Sequence, residues 1–559
     1  MHESGQSRLP ARHFAGIDSL PFSKLPGQSR LFIDYQDDPR SLRRYYPNPP
    51  GSYRNLPSSK GEVLSGYSSD RDLLCDSLLE INRSYEAAEA VTAAIGKLRK
   101  PDTVAVLTGQ QAGLFTGPIY SIYKAVTAIR LAEYLDNNGV AAVPVFWAAT
   151  EDHDHEEVSN AFVIDASDQL IECKVTFPPE AKGNSVGHFL FDQTTLAAVT
   201  AMFERLRPSE FSGELKEFLS SIWRPGSTLG DAFCRTMAAL LGRYGLIMAD
   251  PHHTGLKKLA APVYAEAIEH RQELSRALNA RGKELNADGY HAQVEVMPDH
   301  IPLFWHDDEG RRLALRQSDN GNVRVKGTLS SFTADELVRS ASDEPDRFSP
   351  AVMLRPVVQD HIFPTICYVG GAAEVAYFAQ NSEVYRVLGR RATPIIHRQS
   401  FTFVEARHRR AMERYDLRFD QMFSGREILI PQKIDELIDP ELAKAFDDAE
   451  ATIFRELDRL EQALARFDVT LAAGLKTRRR KIAYHLAATR KRYHKRRAES
   501  DETAVRRLRA AFGSLLPAGG LQERTLNVFY FLNRIGPGFI DSIYEAVDLE
   551  DRGHRIVYL

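Results

Sequence analysis

The arrangement of apolar residues along the chain predicts alternating strands and helices. Thr103 to Leu107 is a short apolar run typical of a buried parallel strand, and a glycine-rich turn follows it. From Ile119 to Leu135 apolar residues recur at helical spacing, with Gly139 as the stop. Val143 to Ala148 is a second apolar strand. This βαβ pattern predicts an open parallel sheet with a binding site at the carboxyl ends of its strands.

Further elements follow from the same periodicities. A helix is expected from about Asp70 to Leu98, and a core strand from Gly245 to Ala249 leads into a helix from about Leu256 to Leu278. Pro394 to Ile396 predicts one more strand. Residues 1–60, rich in Pro, Ser, Gly and Tyr, predict an extended, turn-rich arm.

Two stretches between these core segments are interpreted as insertions. Residues 177–227 and 290–342 show short β-like runs mixed with turn residues. We expect them to form connecting domains or domains that face the substrate.

A different pattern follows after about residue 439, where apolar residues alternate steps of four and three. This heptad spacing predicts a coiled coil and is carried by Ile453, Leu457, Leu460, Leu464, Phe467 and Leu471. Gly474 offers a break, after which Lys476 to Arg497 carries eleven basic residues and no acidic one. Because Glu441 to Asp468 is mainly acidic, a helical hairpin with paired charges is favoured. Nucleic-acid or partner binding by the basic segment is the alternative, and the exposed part of the seam offers a surface for dimerisation.

The amino-acid composition is typical of a soluble globular protein. The chain has 559 residues, of which 43% are hydrophobic and 26% charged, and a mean hydropathy of −0.33, which predicts a soluble protein of two or three folded units. A net charge of −4 gives no global attraction to nucleic acid or an anionic bilayer. Four cysteines without a CxxC spacing predict buried free thiols. No leader or long apolar run is recognisable, so we expect a cytoplasmic location.

The turn from Thr108 to Pro118 is the first candidate for chemistry. Its three glycines allow close approach to the backbone, and the N–H groups at the start of the next helix suit an anion. The turn matches neither GxGxxG nor Walker A, since no Lys-Ser/Thr pair follows. A plain tight turn remains the alternative.

An acidic segment from Glu151 to Glu157 follows the second strand, with five carboxylates and two imidazoles in seven residues. Crowded carboxylates raise one another's pKa, which favours acid–base chemistry or the binding of an amine. A metal site or a solvated acidic loop is the alternative, although neighbouring residues rarely converge on one ion without a distant partner. His252 and His253 also end a strand, but adjacent imidazoles point apart.

A second polar cluster lies in apolar sequence between Leu354 and Tyr377. Arg355 is suited to a carboxylate or phosphate, and Glu374 to an ammonium or hydroxyl group. Structural ion pairs are the competing interpretation.

Together these segments closely resemble the BshC family, the cysteine-adding enzymes of bacillithiol biosynthesis. The resemblance covers nearly the whole chain and rests on TGQQAGLFTGPIYSIYKA from Thr108, PVFWAATEDHDHEEV from Pro144, LRPVVQD from Leu354, YVGGAAEVAYF from Tyr368 and LQER from Leu521. One departure is His397, where the family pattern has Pro before an Arg-x-Ser stretch. This departure concerns only the shape of the local loop.

The resemblance implies a ligase that joins the carboxyl group of cysteine to the amine of glucosaminyl-malate. It implies an α/β fold with a Rossmann-type parallel sheet similar to class I aminoacyl-tRNA synthetases, connecting-peptide insertions, and a C-terminal antiparallel coiled coil that forms a homodimer. Because a cysteine carboxylate must be activated before an amine attacks it, we expect ATP, with Mg²⁺ as counter-ion, and no protein-bound metal; a different acyl donor or a partner protein is the alternative. The expected divisions are 1–170 (core with the arm), 171–240 (insertion), 241–285 (core), 286–345 (insertion), 346–430 (core), 431–515 (hairpin) and 516–559 (return to the core).

In the resulting hypothesis, Asp152 or His153 acts as the general base. The N–H groups at the helix start stabilise the developing oxyanion. Gln110 and Gln111 join the catalytic set, while Arg355 and Lys124 hold malate or phosphate charge. The other residues predicted to bind substrate or nucleotide are Thr108, Gly109, Gly113, Thr116, Gly117, Tyr120, Glu151, Gln359, Gly370, Gly371, Glu374, Tyr377, Arg398 and Ser400. The rival interpretations are another nucleotide-dependent ligase or nucleotidyltransferase, and a nucleic-acid-binding protein.

Overall fold

A computed structural model describes residues 14–48, 53–177, 183–318, 320–436, 440–500 and 502–559. The strands are β1 (Gly16–Leu20), β2 (Val104–Gln110), β3 (Ala142–Ala148), β4 (Asn160–Ile164), β5 (Leu170–Lys174), β6 (Ile247–Ala249), β7 (His300–His306), β8 (Arg312–Gln317), β9 (Val323–Val325), β10 (Ser331–Phe332), β11 (Phe348–Pro350), β12 (Thr365–Gly370), β13 (Ile395–His397), β14 (Ser400–Val404) and β15 (His554–Tyr558).

The α-helices lie between and after these strands. They are α1 (Arg30–Asp37), α2 (Lys60–Gly66), α3 (Arg71–Ser84), α4 (Glu89–Leu98), α5 (Tyr120–Asn137), α6 (His155–Val158), α7 (Gln193–Arg205), α8 (Ser212–Ile222), α9 (Leu229–Leu241), α10 (Thr254–Glu269), α11 (Arg271–Ala287), α12 (Ala334–Asp343), α13 (Arg355–Ile362), α14 (Ala372–Val387), α15 (Ala406–Arg414), α16 (Arg426–Asp435), α17 (Pro440–Phe467), α18 (Val469–Ser500), α19 (Glu502–Leu515), α20 (Gln522–Thr525), α21 (Val528–Ile535) and α22 (Phe539–Ala546).

The chain divides into two compact units. The larger unit contains residues 1–403 and 520–557, and the smaller unit contains residues 404–519. Within the described ranges, no helix combines the length and apolar character that crossing a bilayer needs.

A five-stranded parallel sheet forms the centre of the larger unit, in the order β13-β12-β2-β3-β6. Its first strand in the chain, β2, lies in the middle. The chain runs from β2 to β3 and β6 on one side, then returns to β12 and β13 on the other. The strand order therefore reverses between β2 and β12, which is where ligands bind in open α/β sheets.

The strands of this sheet are apolar because both faces are covered. Every residue of β3 is buried, as are the first six residues of β2, and α5 packs against both strands. The predicted βαβ unit, its stop at Gly139 and the strand near Pro394 are confirmed, as is the α/β class.

The predicted bounds of two helices were wrong, because each predicted helix is a pair of shorter helices. The helix expected from Asp70 to Leu98 is two helices, α3 and α4, because Glu86 has a left-handed φ of 55°. Asn82 at the end of α3 bonds both backbone groups of Met248 on β6, so a tertiary contact sets the end of this helix. The helix expected from Leu256 to Leu278 likewise divides at His270 into α10 and α11.

The arm and the first insertion contain helices that the sequence patterns did not predict. The arm includes α1, in which the Ser29 side chain accepts from Phe32 N–H and the apolar face is buried. Residues 177–227 hold α7 and α8 instead of β-like runs, since apolar residues such as Val199, Met202 and Leu219 pack at helical spacing. The second insertion does form strands: β7 to β11 make an antiparallel sheet in the order β10-β9-β8-β7-β11.

The smaller unit contains the predicted helical hairpin, formed by α17 and α18. Its turn lies at Asp468 and not at Gly474, because the Asp468 side chain accepts from Thr470 and Leu471 N–H groups and starts α18. Charges pair along the hairpin as expected, with Arg490 3.0 Å from Asp447. Homodimerisation through the exposed part of the seam stays a prediction.

A buried polar network ties the end of the chain to the central sheet. Arg398, after β13, forms two hydrogen bonds of 2.9 and 2.7 Å with the Glu523 carboxylate, and both side chains are almost fully buried. Ser400 and the Phe401 N–H also donate to Glu523. Burial would raise the pKa of Glu523, but Arg398 and these other donors lower it to about 2.

Glu523→Gln should destabilise the larger unit. Removing the carboxylate leaves the Arg398 guanidinium buried without its partner, which costs about 3–5 kcal/mol in comparable pairs. Urea unfolding followed by tryptophan fluorescence measures the loss, because Trp147, Trp223 and Trp305 all lie in this unit. No change in the free energy of unfolding would contradict the assignment.

The matched control and the pH dependence sharpen this prediction. Glu309→Gln removes an exposed pair with Arg311 and should change stability by about 1 kcal/mol at most. Since the pKa of Glu523 falls from 4.5 to about 2 on folding, its stabilisation is complete above pH 4.5 and is lost as pH falls toward 2. The difference between the original protein and Glu523→Gln should therefore shrink over that interval.

Candidate active site

A cavity of about 760 Å³ lies at the carboxyl ends of β2, β3, β12 and β13, at the reversal of strand order. Segments following each of these strands contribute side chains to it. The remaining wall comes from residues 294–312 and 350–355, which include parts of β7 and β8. The parallel sheet and the antiparallel insertion thus enclose one site.

Lys124 and Glu374 form a buried ion pair at the β2–β12 side of the cavity. Lys124 also donates to the side-chain oxygen of Gln110 at 3.0 Å. Glu374 accepts from the Tyr368 hydroxyl at 2.8 Å and from the Gly371 N–H at 2.7 Å. Burial would raise the pKa of Glu374, but Lys124 and nearby positive charge hold it below its usual value, so the pair is ionised.

Arginines supply further positive charge on this side. Arg398 is neutralised by Glu523, whereas Arg355 donates to the Tyr377 hydroxyl at 2.9 Å and has a buried Nε without a hydrogen-bond partner among the described residues. Arg524 is exposed at the mouth of the cavity. Arg355 therefore has donors available for an anion in the cavity.

The acidic segment forms another part of the wall, the acidic side, distinct from the basic side to which Arg355 and Arg524 belong. Glu151 is buried and paired with Lys257. Gln111 donates to Asp152 at 2.7 Å and to Glu157 at 3.0 Å, so one amide holds two carboxylates side by side. In the part of the chain that is described, no group of three or more His, Cys, Asp or Glu side chains is placed to hold a metal ion.

Arg312 enters this acidic side from β8. Its NH1 lies 3.2 Å from His153 Nδ1 and 3.8 Å from an Asp152 oxygen. Burial would raise the pKa of Asp152, but the Arg312 charge and the hydrogen bond from Gln111 lower it. Burial and Arg312 both lower the pKa of His153, so this imidazole is neutral at pH 7.

The glycine turn is organised from behind by Asn527. This side chain donates to the carbonyls of Phe115 and Gly117 at 2.8 and 2.7 Å. A Cβ on Gly113 would lie 2.9 Å from the Gly117 Cα, so this part of the turn packs on itself. Only its first part, from Gly109 to Gln111, faces the cavity.

The expectation that the helix start offers free N–H groups to an anion is wrong at three positions. The N–H groups of Ile119, Ser121 and Ile122 donate to the carbonyls of Leu526, Pro118 and Ile119. The α5 N-terminus is thus largely saturated by backbone hydrogen bonds.

The structure brings twelve predicted residues to the cavity wall: Gly109, Gln110, Gln111, Tyr120, Lys124, Glu151, Asp152, His153, Arg355, Gly371, Glu374 and Arg398. Eight others are absent from the wall: Thr108, Gly113, Thr116, Gly117, Gln359, Gly370, Tyr377 and Ser400. Of these, Tyr377 and Ser400 act behind it, because they contact Arg355 and the partner of Arg398. Their roles in binding or catalysis stay predictions.

Sequence patterns missed two important groups. Arg312 lies in an insertion strand with no motif, and only the fold carries it to Asp152 and His153. Glu523 was part of the LQER motif, but nothing in the sequence indicated that it pairs with Arg398. His252 lies outside the cavity wall; its ring centre is 4.1 Å from that of His188, and the two ring planes are tilted by 37°.

The arrangement is chemically suited to joining a cationic group and an anionic group. Carboxylates of Asp152 and Glu157 can bind an amine, and Arg355 and Arg524 can bind carboxylate or phosphate oxygens, all on the walls of one cavity. The neutral imidazole of His153 lies beside the acidic pair.

Comparisons with known proteins agree over nearly the whole chain. Residues 17–399 match the family described as "Bacillithiol biosynthesis BshC, N-terminal Rossmann-like domain", and residues 401–559 match "Bacillithiol biosynthesis BshC, C-terminal coiled-coil domain". A Koribacter versatilis relative is 34% identical over 97% of this chain and 99% of its own length. A Salinibacter ruber relative is 33% identical over 94% of this chain and 96% of its own length. Both relatives carry the name "Putative cysteine ligase BshC".

The matched Rossmann-like region contains the whole parallel sheet, and the matched C-terminal region contains the helical hairpin. Fold, motifs and relatives thus lead to one conclusion: this chain belongs to the BshC family of bacillithiol biosynthesis.

Proposed function

We propose that this protein joins L-cysteine to the amine of glucosaminyl-malate through an amide bond. The observation that carries the proposal is the single cavity whose wall holds the acidic groups of one segment together with basic groups that form no ion pair within the described part of the chain. An amide ligase with these substrates needs to hold an amine, malate carboxylates and an activated carboxyl group together. The names of the relatives support cysteine as the acyl group.

The basic side is suited to malate or phosphate oxygens. Lys124 and Arg398 are already neutralised by Glu374 and Glu523, so they shape the wall more than they add charge. Arg355 and Arg524 form no ion pair with another described residue. We assign the anionic part of the substrate to these two arginines.

The acidic side is suited to the amine. Asp152 and Glu157 are fixed by the same Gln111 amide, so an ammonium group between them would find two oriented acceptors. The imidazole of His153 is neutral and adds no positive charge beside them, while the charge of Arg312 is partly balanced by Asp152 at 3.8 Å.

The reaction requires an activated cysteine, because a carboxylate is a poor electrophile. In the proposed sequence, a cysteine carboxylate oxygen attacks the α-phosphorus of ATP and pyrophosphate leaves. The amine nitrogen then attacks the carbonyl carbon, the C–N bond forms, and the C–O bond to AMP breaks with its electron pair on AMP. The amine attacks in its uncharged form, after the bound ammonium group has released one proton to solvent. Asp152 then accepts the second proton that nitrogen must lose; it suffices despite its lowered pKa because the nitrogen becomes much more acidic once it has bonded to the carbonyl carbon.

Mass spectrometry of the protein incubated with glucosaminyl-malate and cysteine tests the function directly. We expect the condensed product only when ATP and magnesium are present. Product without ATP would contradict nucleotide activation, and no product under any condition would contradict the ligase function. Exchange of pyrophosphate into ATP, tried with each amino acid, should be supported by cysteine alone; exchange with another amino acid would favour a different ligase.

Arg355→Met should weaken binding of the anionic substrate. Loss of a charge-assisted hydrogen bond predicts a KM for glucosaminyl-malate that rises about 10- to 100-fold. Steady-state kinetics measures this change. The control Arg339→Met removes an exposed arginine of α12 that lies outside the cavity wall, and it should leave KM unchanged. Equal KM values in both variants would remove Arg355 from the binding site.

Asp152→Asn should lower kcat about 10²- to 10⁴-fold, because the amide cannot accept the nitrogen proton. Glu156→Gln is the matched control, since Glu156 belongs to the same acidic segment but is exposed and lies outside the cavity wall. Single-turnover rates of product formation compare the two variants. Full turnover by Asp152→Asn would exclude this carboxylate as the base.

A further inference from the structure

The two ring nitrogens of His153 have different surroundings. Arg312 NH1 lies 3.2 Å from Nδ1. A guanidinium group can only donate hydrogen bonds, so Nδ1 must be the acceptor and cannot carry a hydrogen. In the neutral ring the hydrogen is then on Nε2, which has no hydrogen-bond partner among the residues described.

Arg312 is itself held firmly in place. Its Nε donates to the Ser349 hydroxyl and its NH2 donates to the Pro350 carbonyl, both at 2.9 Å. The guanidinium also lies over the Phe304 ring, 3.8 Å from its centre, and only 8% of the side chain is exposed. The donor to Nδ1 is therefore preorganised by two strands of the antiparallel sheet.

The neighbouring Asp152 carboxylate does not form a hydrogen bond with His153 Nδ1. The nearest Asp152 oxygen is 3.7 Å from His153 Nδ1, beyond hydrogen-bond distance. In a Ser-His-Asp triad the carboxylate accepts from Nδ1–H, which leaves Nε2 free to take a proton. Here a cation donates to Nδ1, so the hydrogen is placed on Nε2 and that nitrogen cannot act as a base.

We infer that His153 is a hydrogen-bond donor through Nε2–H to the carbonyl oxygen of the acyl group, and that Arg312 is the positioning residue that fixes this tautomer. The inference rests on the proposed ligase function. His153 lines the cavity beside Asp152, which would place its donor next to the reacting carbon. Two residues of one acidic segment then have separate roles: Asp152 takes the proton from the amine nitrogen, and His153 stabilises the carbonyl oxygen.

The chemistry of this step keeps the imidazole neutral throughout. As the amine nitrogen bonds to the carbonyl carbon, the π electrons of the carbonyl move to its oxygen, and Nε2–H donates to that oxygen. When the C–O bond to the leaving group breaks, the electrons return and the hydrogen remains on His153. A neutral imidazole can stabilise the developing negative charge by donating this hydrogen bond while it keeps its hydrogen.

The tautomer can be tested without turnover, because two-bond ¹H–¹⁵N spectra of protein labelled with ¹⁵N-histidine distinguish a ring nitrogen that carries hydrogen from one that does not. We expect the hydrogen on Nε2 of His153, and hydrogen on Nδ1 would overturn the assignment. A second measurement tests the effect of the Arg312 charge. Histidine C2 hydrogen–deuterium exchange, measured by mass spectrometry, follows the pKa of His153 in the original protein and in Arg312 variants. We expect a pKa below 6.5 that rises in Arg312→Met and falls again in Arg312→Lys, because the neighbouring positive charge is removed and restored. A pKa at or above 6.5, or one that Arg312→Met leaves unchanged, would overturn the assignment.

Turnover then distinguishes a donor from a base. The side-chain nitrogen of glutamine can occupy the place of Nε2, so His153→Gln should keep kcat within about tenfold of the original protein. His153→Ala lacks the donor and should lose about 10²- to 10³-fold. If His153→Gln is as inactive as His153→Ala while tryptophan fluorescence shows both variants folded, the donor role is refuted. If the original protein makes no product, the ligase function fails, but the ¹⁵N spectra still judge the tautomer.

Discussion

The buried ion pair between Arg398 and Glu523 is the contact on which the site depends. It joins residues 125 positions apart and brings the C-terminal segment onto the carboxyl end of the central sheet. The same segment supplies Leu526, whose carbonyl accepts from Ile119, and Asn527, whose amide holds the glycine turn. A single short segment thus organises both the basic wall and the turn.

Charge pairing decides which cavity groups are available to a substrate. Lys124 and Glu151 are both buried and both paired, so neither is free to bind substrate strongly. Arg355 and the amide-linked carboxylates Asp152 and Glu157 remain on the wall. The cavity wall therefore presents both positive and negative groups, which suits a reaction between an amine and an anionic partner.

Arg312 shows how an insertion can define the chemistry of a core motif. The motif supplies Asp152 and His153. Burial and a guanidinium from the antiparallel sheet lower the pKa of His153, and the same guanidinium helps to lower the pKa of Asp152 against burial. Without that charge, the imidazole and the carboxylate would be candidates for the same role. With it, the carboxylate is the acceptor and the imidazole is the donor in the mechanism that we propose.

Local pattern alone was sufficient for the βαβ unit, the strand near Pro394 and the hairpin, because each depends on residues close in the chain. Motif resemblance identified the family and twelve residues of the cavity wall, since strands of a parallel sheet present their following residues at one edge. The breaks at Glu86 and His270, the helices of the first insertion and the turn at Asp468 were not predicted, because weak local signals yield to tertiary contacts or to a single capping side chain. Likeness to class I aminoacyl-tRNA synthetases stays a prediction. The approach of Arg312 to His153 and of Glu523 to Arg398 was decided only by the tertiary structure, because these contacts join distant segments and no spacing in the sequence records them.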